Sequence, residues 1–220
     1  MDLPPSSFHA SLEEQWDEKE ELEEIYNKYL DVFSKGKEEK LLPHCPCDHH
    51  INLESLLPPV SVIYSLSNHN SETLLACISE NVEKCFIRPS SSSTGAPALF
   101  IKKKDCGLCF CSNYHKLNAV TRKNRYPVPP MNQILTVFHS STIFSKIYLC
   151  GAYNLLRIKE GYKHLTAVRT INGRHEYLVM PFGLTNTPAS FQNLVYDILA
   201  DFLDIFVVVY LDYIMVFSSS

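Results

Sequence analysis

The alternation of apolar and polar residues predicts an amphipathic helix near the start of the chain. Over residues 12–33, apolar side chains recur every three or four positions opposite a densely acidic face, which is typical of a surface helix. The apolar positions are Leu22, Ile25, Tyr26, Tyr29, Leu30 and Phe33. Residues 1–11 are polar and contain two prolines, so we predict a disordered leader before this helix.

Further along, the pattern changes between helical and strand periods. A second amphipathic helix is predicted over residues 70–83, with Leu74, Leu75, Ile78 and Val82 on one side. Apolar runs separated by turn residues predict hairpins at 95–114 and at 167–180, the latter around Asn172-Gly173.

Three more elements complete the predicted order. A strand is predicted over residues 142–149, and a helix begins at Gly151. Thr187-Pro188 resembles a helix start, with a capping residue before a proline, and that helix is expected to reach about Leu203. The order predicts a mixed α+β fold, with the leader and acidic helix at 1–33 and one larger domain at 34–220.

The chain closes with VVVYLDYIMVFS, which predicts two apolar strands joined by a tight turn. Asp212 lies in that turn. A carboxylate beside buried apolar strands costs free energy unless a cation or hydrogen-bond donor compensates its charge. The turn is therefore a candidate functional site.

Composition limits the possible partners. Apolar residues make up 45% of the 220 residues, enough for a substantial core, and the formal net charge is −4. No global positive field exists to attract nucleic acid, so any polyanion site must be local, and residues 102–125 are the basic stretch. The start lacks a signal-peptide pattern and no apolar run is long enough to span a membrane. These features predict an intracellular protein, cytoplasmic or nuclear, with eight cysteines present as free thiols.

Five blocks carry a family resemblance. In chain order they are ENVEKCFIRPSSSSTGAPALFIKKKD, LNAVTRKNRYPVPP, FSKIYLCGAYNLLRI, EYLVMPFGLTNTPASFQ and VVVYLDYIMVFS. Together they resemble the reverse transcriptase of Ty3/gypsy-type long-terminal-repeat retrotransposon polyproteins. The resemblance implies the fingers and palm subdomains of a right-hand polymerase, with helices packed on an antiparallel palm sheet and no thumb. It also implies RNA-directed DNA polymerase activity on an RNA/DNA primer–template.

The resemblance places a metal site at the closing hairpin. In the family, two Mg²⁺ ions are held by carboxylates of a central strand and of the hairpin tip. Asp212 matches the first hairpin carboxylate. Tyr213 stands at the second hairpin position and Tyr148 at the strand position. A neutral phenol is a poor Mg²⁺ ligand, so we expect no productively bound Mg²⁺ and an inactive domain.

The resemblance also implies a nucleotide pocket that is partly retained. Lys103 matches a lysine that contacts the incoming triphosphate, whereas Cys109 stands where the family has a phosphate-binding arginine. Tyr153 matches the aromatic residue that excludes a ribose 2′-hydroxyl, and Phe182 matches one that packs beside the nucleotide. Both aromatic residues would serve equally well as ordinary core packing.

The segment HCPCDHH, residues 44–50, concentrates potential metal ligands. Its Cys-x-Cys spacing does not match the usual zinc pattern, and family members carry histidine and aspartate here without the cysteines. A zinc site is thus the weaker interpretation.

Three functions follow from these patterns. The favoured one is a degenerate reverse-transcriptase-like domain without catalysis, whose protein partner would bind the acidic helix at 12–33. A residual nucleic-acid-binding module and a weakly active polymerase fragment are the alternatives.

Overall fold

The computed structural model describes residues 27, 29, 40–58, 60–64, 68–102, 108–127 and 129–219. Residues Lys40–Ser220 form one compact unit. The predicted leader and most of the acidic helix at 12–33 lie outside the described residues. The protein partner expected for that helix therefore stays a prediction.

One part of this unit is a five-stranded sheet. Its strands are β1 (Ile87–Pro89), β2 (Ala96–Lys102), β3 (Leu108–Ser112), β5 (Val168–Thr170) and β6 (Gly173–Tyr177), in the spatial order β1-β6-β5-β2-β3. The neighbours are antiparallel except β2 and β5, which pair in parallel over two residues. The predicted hairpins β2–β3 and β5–β6 are thereby confirmed.

Helix α1, Asn68–Glu83, precedes this sheet and confirms the predicted second helix. Leu74 and Ile78, four residues apart, enter the core, but Leu75 and Val82 are 47% and 40% exposed. With 3.6 residues per turn, these four positions lie within an arc of about 100°, so the predicted stripe is present on one side of the helix. Only its Leu74–Ile78 edge is buried, and the edge formed by Leu75 and Val82 is exposed.

A left-handed residue ends α1. Cys85 has φ +57°, the amide of Phe86 donates to Asn81 O at 2.8 Å, and the amide of Cys85 donates to Val82 O at 3.0 Å. These two bonds form a Schellman motif, whose left-handed position is usually glycine. Cys85 occupies this position with an exposed side chain.

The other sheet of this unit is antiparallel and has three strands. Its strands are β4 (Ile143–Tyr148), β8 (Tyr213–Ser218) and β7 (Val207–Tyr210), in that spatial order. The predicted strand and the predicted closing hairpin are confirmed. Every residue of β4, an edge strand, is exposed.

The remaining helices are short except one. They are α2 (His115–Val120), α3 (Met131–Val137), α4 (Thr187–Ile198) and 3₁₀ turns at Phe138–Ser140, Ala152–Leu155 and Lys163–Thr166. The helix predicted from Gly151 is thus only one 3₁₀ turn. It stops because Leu156, extended and fully buried, leads the chain into the core.

The observed bounds of helix α4 differ from the predicted ones at both ends. Asn186 occupies the capping position and Thr187 is already helical, with its hydroxyl donating to Pro181 O at 3.3 Å. The helix ends at Ile198 rather than near Leu203, because the chain must turn back through residues 199–206 to enter β7.

One hydrophobic core joins the two sheets through α4. Its fully buried side chains include Leu74, Leu156, Ile158, Met180, Phe191 and Val209. A smaller cluster of Ile134, Val208 and Phe217 lies between α3 and the three-stranded sheet. The mixed α+β architecture is confirmed. No helix among the described residues is long and apolar enough to cross a membrane.

The prediction that the cysteines are free thiols was wrong for one pair. Cys45 and Cys47 form a disulfide, whereas Cys85 and Cys150 are exposed and form none. A reverse turn brings the paired cysteines together, because the amide of Asp48 donates to Cys45 O and the Asp48 carboxylate accepts from the amide of Cys45, both at 3.1 Å.

Candidate functional site

The tip of the closing hairpin is a two-residue turn between β7 and β8. Tyr210 pairs with Tyr213, and Leu211 adopts φ +52° at the first turn position. The end of β4 is tied to the same turn, since the amide of Leu149 donates to Asp212 O at 2.9 Å. Tyr148 is the register partner of Tyr213. The structure thus brings Asp212, Tyr148 and Tyr213 together.

A buried glutamine holds the backbone of this turn. Gln192, fully buried on α4, donates from Nε2 to Val209 O at 3.1 Å and accepts the Leu211 amide on Oε1 at 2.8 Å. Sequence analysis missed this residue. The stretch ASFQNLV contains two adjacent amides, Gln192 and Asn193, and the sequence does not show which of them is buried or what it binds.

One oxygen of the Asp212 carboxylate is buried without a hydrogen bond. None of the described residues supplies a donor to this Oδ1 atom. Burial raises the pKa of this carboxyl above its usual value, because desolvation disfavours the charged form. A buried carboxylate oxygen without a hydrogen bond is energetically costly, which keeps the tip a candidate functional site.

Two tyrosine rings occupy the space beside this carboxylate. The ring centroids of Tyr148 and Tyr213 lie 5.2 Å apart, and Lys146 Nζ lies 4.4 Å from the Tyr213 centroid. Burial, followed by the nearby Asp212 charge, raises the pKa of Tyr148. This phenol is therefore protonated near neutral pH and cannot replace an anionic ligand.

The arrangement does not fit a pair of Mg²⁺ ions. Such a pair requires several oxygen ligands with negative charge, and the tip supplies one carboxylate. Across the described part of the chain, no group of three or more His, Cys, Asp or Glu side chains could hold a metal ion. No chemical step through Mg²⁺ can be assigned to these residues.

The two predicted nucleotide-contacting aromatics lie together. The ring centroids of Tyr153 and Phe182 are 4.9 Å apart, and Phe191 lies 5.5 Å from Tyr153. Tyr153 is buried, whereas Phe182 is 56% exposed. Burial and the Asp212 charge raise the pKa of Tyr153. Tyr153 is thus a core residue by position, and Phe182 covers its outer side.

The remaining predicted positions belong to the β2–β3 hairpin. Lys103 lies outside the described residues. Cys109 pairs in register with Ile101, so its backbone is on β3. The roles of both residues in binding a triphosphate stay predictions.

The segment 44–50 is organised by hydrogen bonds. His44 contacts Asp48 through Nδ1 and Glu160 through Nε2, the latter at 3.2 Å. His49 is buried, its Nδ1 is 2.8 Å from Ser190 Oγ, and burial lowers its pKa to about 4. This imidazole is neutral near pH 7, which fits a structural role. The described residues hold no zinc site here.

Similarity to solved structures identifies the fold. The chain superposes on a foamy viral protease-reverse transcriptase in complex with RNA/DNA hybrid with a TM-score of 0.75 at 20% identity. A second foamy viral protease-reverse transcriptase structure, in complex with ds DNA, gives 0.80 at 20% identity. Both superpositions cover 93% of this chain, and 27% and 36% of those chains. The predicted fingers-and-palm fold is confirmed.

Sequence similarity gives the family. The family described as reverse transcriptase (RNA-dependent DNA polymerase) matches residues 101–220. The transposon Tf2-3 and Tf2-4 polyproteins of Schizosaccharomyces pombe are each 32% identical over 203 residues. These alignments cover 91% of the chain and only 15% of each polyprotein. The predicted resemblance to retrotransposon polyproteins is confirmed, and the chain belongs to the reverse transcriptase family.

Proposed function

We propose that this reverse-transcriptase-like domain does not catalyse RNA-directed DNA synthesis. The proposal depends on one observation, the Tyr148–Tyr213 ring pair at 5.2 Å beside the lone Asp212 carboxylate. Nucleotidyl transfer in this family uses two metal ions that activate the attacking hydroxyl and stabilise the leaving group. A single carboxylate with two neutral phenols does not provide ligands for both ions.

Primer extension tests the proposal directly. A labelled RNA/DNA primer–template is incubated with the chain, nucleotides and Mg²⁺ or Mn²⁺. We expect the wild-type chain to give no more product than the Asp212→Asn variant. Extension by the wild type that Asp212→Asn abolishes would instead establish the weakly active polymerase.

Metal binding provides a readout that does not require turnover. Mn²⁺ titration followed by electron paramagnetic resonance counts bound ions on the folded chain. The double variant Tyr148→Asp, Tyr213→Asp restores carboxylates at both substituted positions, so we expect it to bind more Mn²⁺ than the wild type. Two tightly bound ions on the wild-type chain would contradict the proposal.

Nucleic-acid binding without catalysis is the second candidate. It is supported by three exposed cations, Arg122, Lys123 and Arg125, which form no ion pair within the described part of the chain. Binding to phosphates requires cations and hydrogen-bond donors but no metal site. An RNA/DNA primer–template is accordingly the partner class to test, and its binding can survive the loss of catalysis.

A further inference from the structure

Four large apolar side chains are exposed where the chain passes from α4 to β7. Ile198, Phe202, Ile205 and Phe206 are 66%, 44%, 70% and 41% exposed, and we call them the apolar patch. The rings of Phe202 and Phe206 lie 5.4 Å apart, and the amides of Ile205 and Phe206 both donate to Phe202 O at 3.3 Å. These bonds fold the connection into a compact turn. Grouped apolar side chains of this kind mark interaction sites, whereas single exposed ones are ordinary.

Acidic side chains are interleaved with the apolar patch. Asp197, Asp201 and Asp204 are exposed, and the last two form no ion pair within the described part of the chain. The sequence contains no Lys, Arg or His anywhere in residues 176–220. The patch therefore combines apolar area with negative charge that no cation of this stretch compensates.

A cavity of about 220 Å³ adjoins the patch. Leu203 and Asp204, from the same turn, belong to its lining. Its other walls are mostly apolar and include Pro127, Pro130, Ile134 and Val208, and no lining residue is cationic. Pockets for whole small ligands occupy about 300–1,000 Å³. This smaller cavity therefore suits a single side chain of a larger partner.

Asp204 connects the patch to the cavity. Its side chain is exposed and also lines the cavity, so the carboxylate lies at the cavity mouth. Its backbone is held at φ +59°, and its amide donates to Val207 O at 2.9 Å. Aspartate is one of the few residues that adopt this left-handed conformation readily. The charge is thus presented by an ordered backbone, which lowers the entropy cost of binding a partner.

From the apolar patch, its negative charge and the adjoining cavity, we propose that this face binds a basic amphipathic peptide segment of a protein partner. One apolar side chain of the segment enters the cavity, and the rest of its apolar face covers Ile198, Phe202 and Ile205. Its Lys or Arg side chains pair with Asp201 and Asp204. Burial of apolar area supplies affinity, and the complementary charges select a basic segment over an acidic one.

This face is separate from the hairpin tip. The apolar patch precedes β7, whereas Asp212 follows it, so the two lie at opposite ends of that strand. Primer extension and Mn²⁺ binding report on Tyr148, Tyr213 and Asp212, none of which belongs to the patch or lines the cavity. Peptide binding and the proposed lack of catalysis can therefore fail independently.

Fluorescence anisotropy on the full chain tests the proposal. The probe is a labelled fourteen-residue amphipathic peptide made of leucine and lysine. The patch variant is Ile198→Ser, Ile205→Ser. The matched control is Val62→Ser, Ile171→Ser, which removes side chains that are 83% and 65% exposed outside the patch. We expect the patch variant to bind the peptide about tenfold more weakly or worse, because truncating the contacts at the centre of an interface costs most of its affinity, and the control to bind as the wild type does.

A second pair of variants tests the charge. Asp201→Asn, Asp204→Asn removes both carboxylates, and asparagine also tolerates the left-handed backbone of Asp204. The control Glu54→Gln, Glu72→Gln removes two exposed carboxylates elsewhere. We expect the aspartate variant to weaken binding about fivefold at low salt. Because salt screens exposed charges, this difference should disappear at about 1 M salt, whereas the loss in the isoleucine variant should persist.

Several outcomes would overturn the proposal. Equal losses in the patch and control variants would do so, as would absence of binding by a chain whose circular dichroism shows it folded. Equal affinity for a peptide with glutamate in place of lysine would show that charge plays no part. Self-association of the chain that the patch variant abolishes, without peptide binding, would instead assign this face to a second copy. In methyl spectra by nuclear magnetic resonance, the peptide should shift Ile198 and Ile205 but not Ile171.

Discussion

Two carboxylates, one in each sheet, have opposite surroundings. In the five-stranded sheet, Glu176 is 8% exposed and fully partnered, with Arg88 Nε at 2.8 Å and Ser90 Oγ at 2.7 Å. In the three-stranded sheet, Asp212 buries Oδ1 with no partner among the described residues. The first carboxylate serves the fold, and the second lies at the hairpin tip beside Tyr148 and Tyr213.

This difference distinguishes a carboxylate that the fold requires from a carboxylate that only chemistry requires. A carboxylate that is buried for structure must keep its cation, because losing either partner destabilises the fold. A carboxylate that serves chemistry can lose its companions while the backbone around it persists. At the hairpin tip that backbone is held by Gln192, whose side-chain amide is hydrogen-bonded to the main-chain atoms Val209 O and Leu211 N.

The largest expected effect comes from removing this glutamine. Gln192→Leu leaves the Leu211 amide and Val209 carbonyl without their partner, so we expect the free energy of unfolding to fall by about 3 kcal/mol. Urea denaturation measures it. Asn193→Leu, on the same helix but hydrogen-bonded at the surface to Asp197, should cost less than about 0.5 kcal/mol. Similar losses in both variants would remove the special role of Gln192.

The partnered carboxylate should be the next most sensitive position. Glu176→Gln removes a charge that accepts bonds from Arg88 and Ser90, and we expect about 2 kcal/mol of destabilisation. The matched control is Glu80→Gln, whose pair with Lys84 lies on the surface and contributes at most about 1 kcal/mol. If the surface variant proves equally destabilising, burial does not explain the importance of Glu176.

A smaller effect of opposite sign is expected at the end of α1. Cys85→Gly places the residue without a side chain at the left-handed position and should stabilise the chain by about 1 kcal/mol. Cys150→Gly, another exposed cysteine but without a positive φ, should give no gain. Stabilisation at Cys85 would show that poorly matched residues occur near the five-stranded sheet as well as at the hairpin tip.

The smallest effect should be a pH dependence at Asp212. Its pKa is raised on folding, so the folded state binds the proton more tightly than the unfolded state. Stability from this group is therefore complete below the unfolded pKa and is lost as pH rises through the folded pKa. Asp212→Asn should be more stable than the wild type near pH 7, by less than about 1 kcal/mol.

Denaturation at several pH values checks this expectation. The advantage of Asp212→Asn should shrink as the solution is acidified toward the unfolded pKa. Asp201→Asn makes the same charge change at an exposed position. A constant advantage at every pH would mean that desolvation of the Asp212 carboxylate is not its cause.

Local sequence signals predicted most of the architecture and the tip. Asn172-Gly173 and the alternating strands predicted both hairpins, and the Tyr210–Tyr213 segment predicted the tight turn that carries Asp212. The predicted helix from Gly151 was wrong, because burial of Leu156 ends it after one turn. The predicted bounds of α4 were also wrong, because the chain must turn back to enter β7. Contacts over long sequence distances, such as Gln192 to Leu211 and Asn186 to Asn124, leave no periodic pattern in the sequence.

The position of Gln192 affects which substitutions this domain can tolerate. The turn it holds keeps its shape whichever side chains stand at Tyr148, Asp212 and Tyr213, because the clamp acts on main-chain atoms from a neighbouring helix. Substitutions that change the chemistry of the tip can therefore occur without loss of this turn. The fold of the tip and the chemistry of its side chains are in this respect separable.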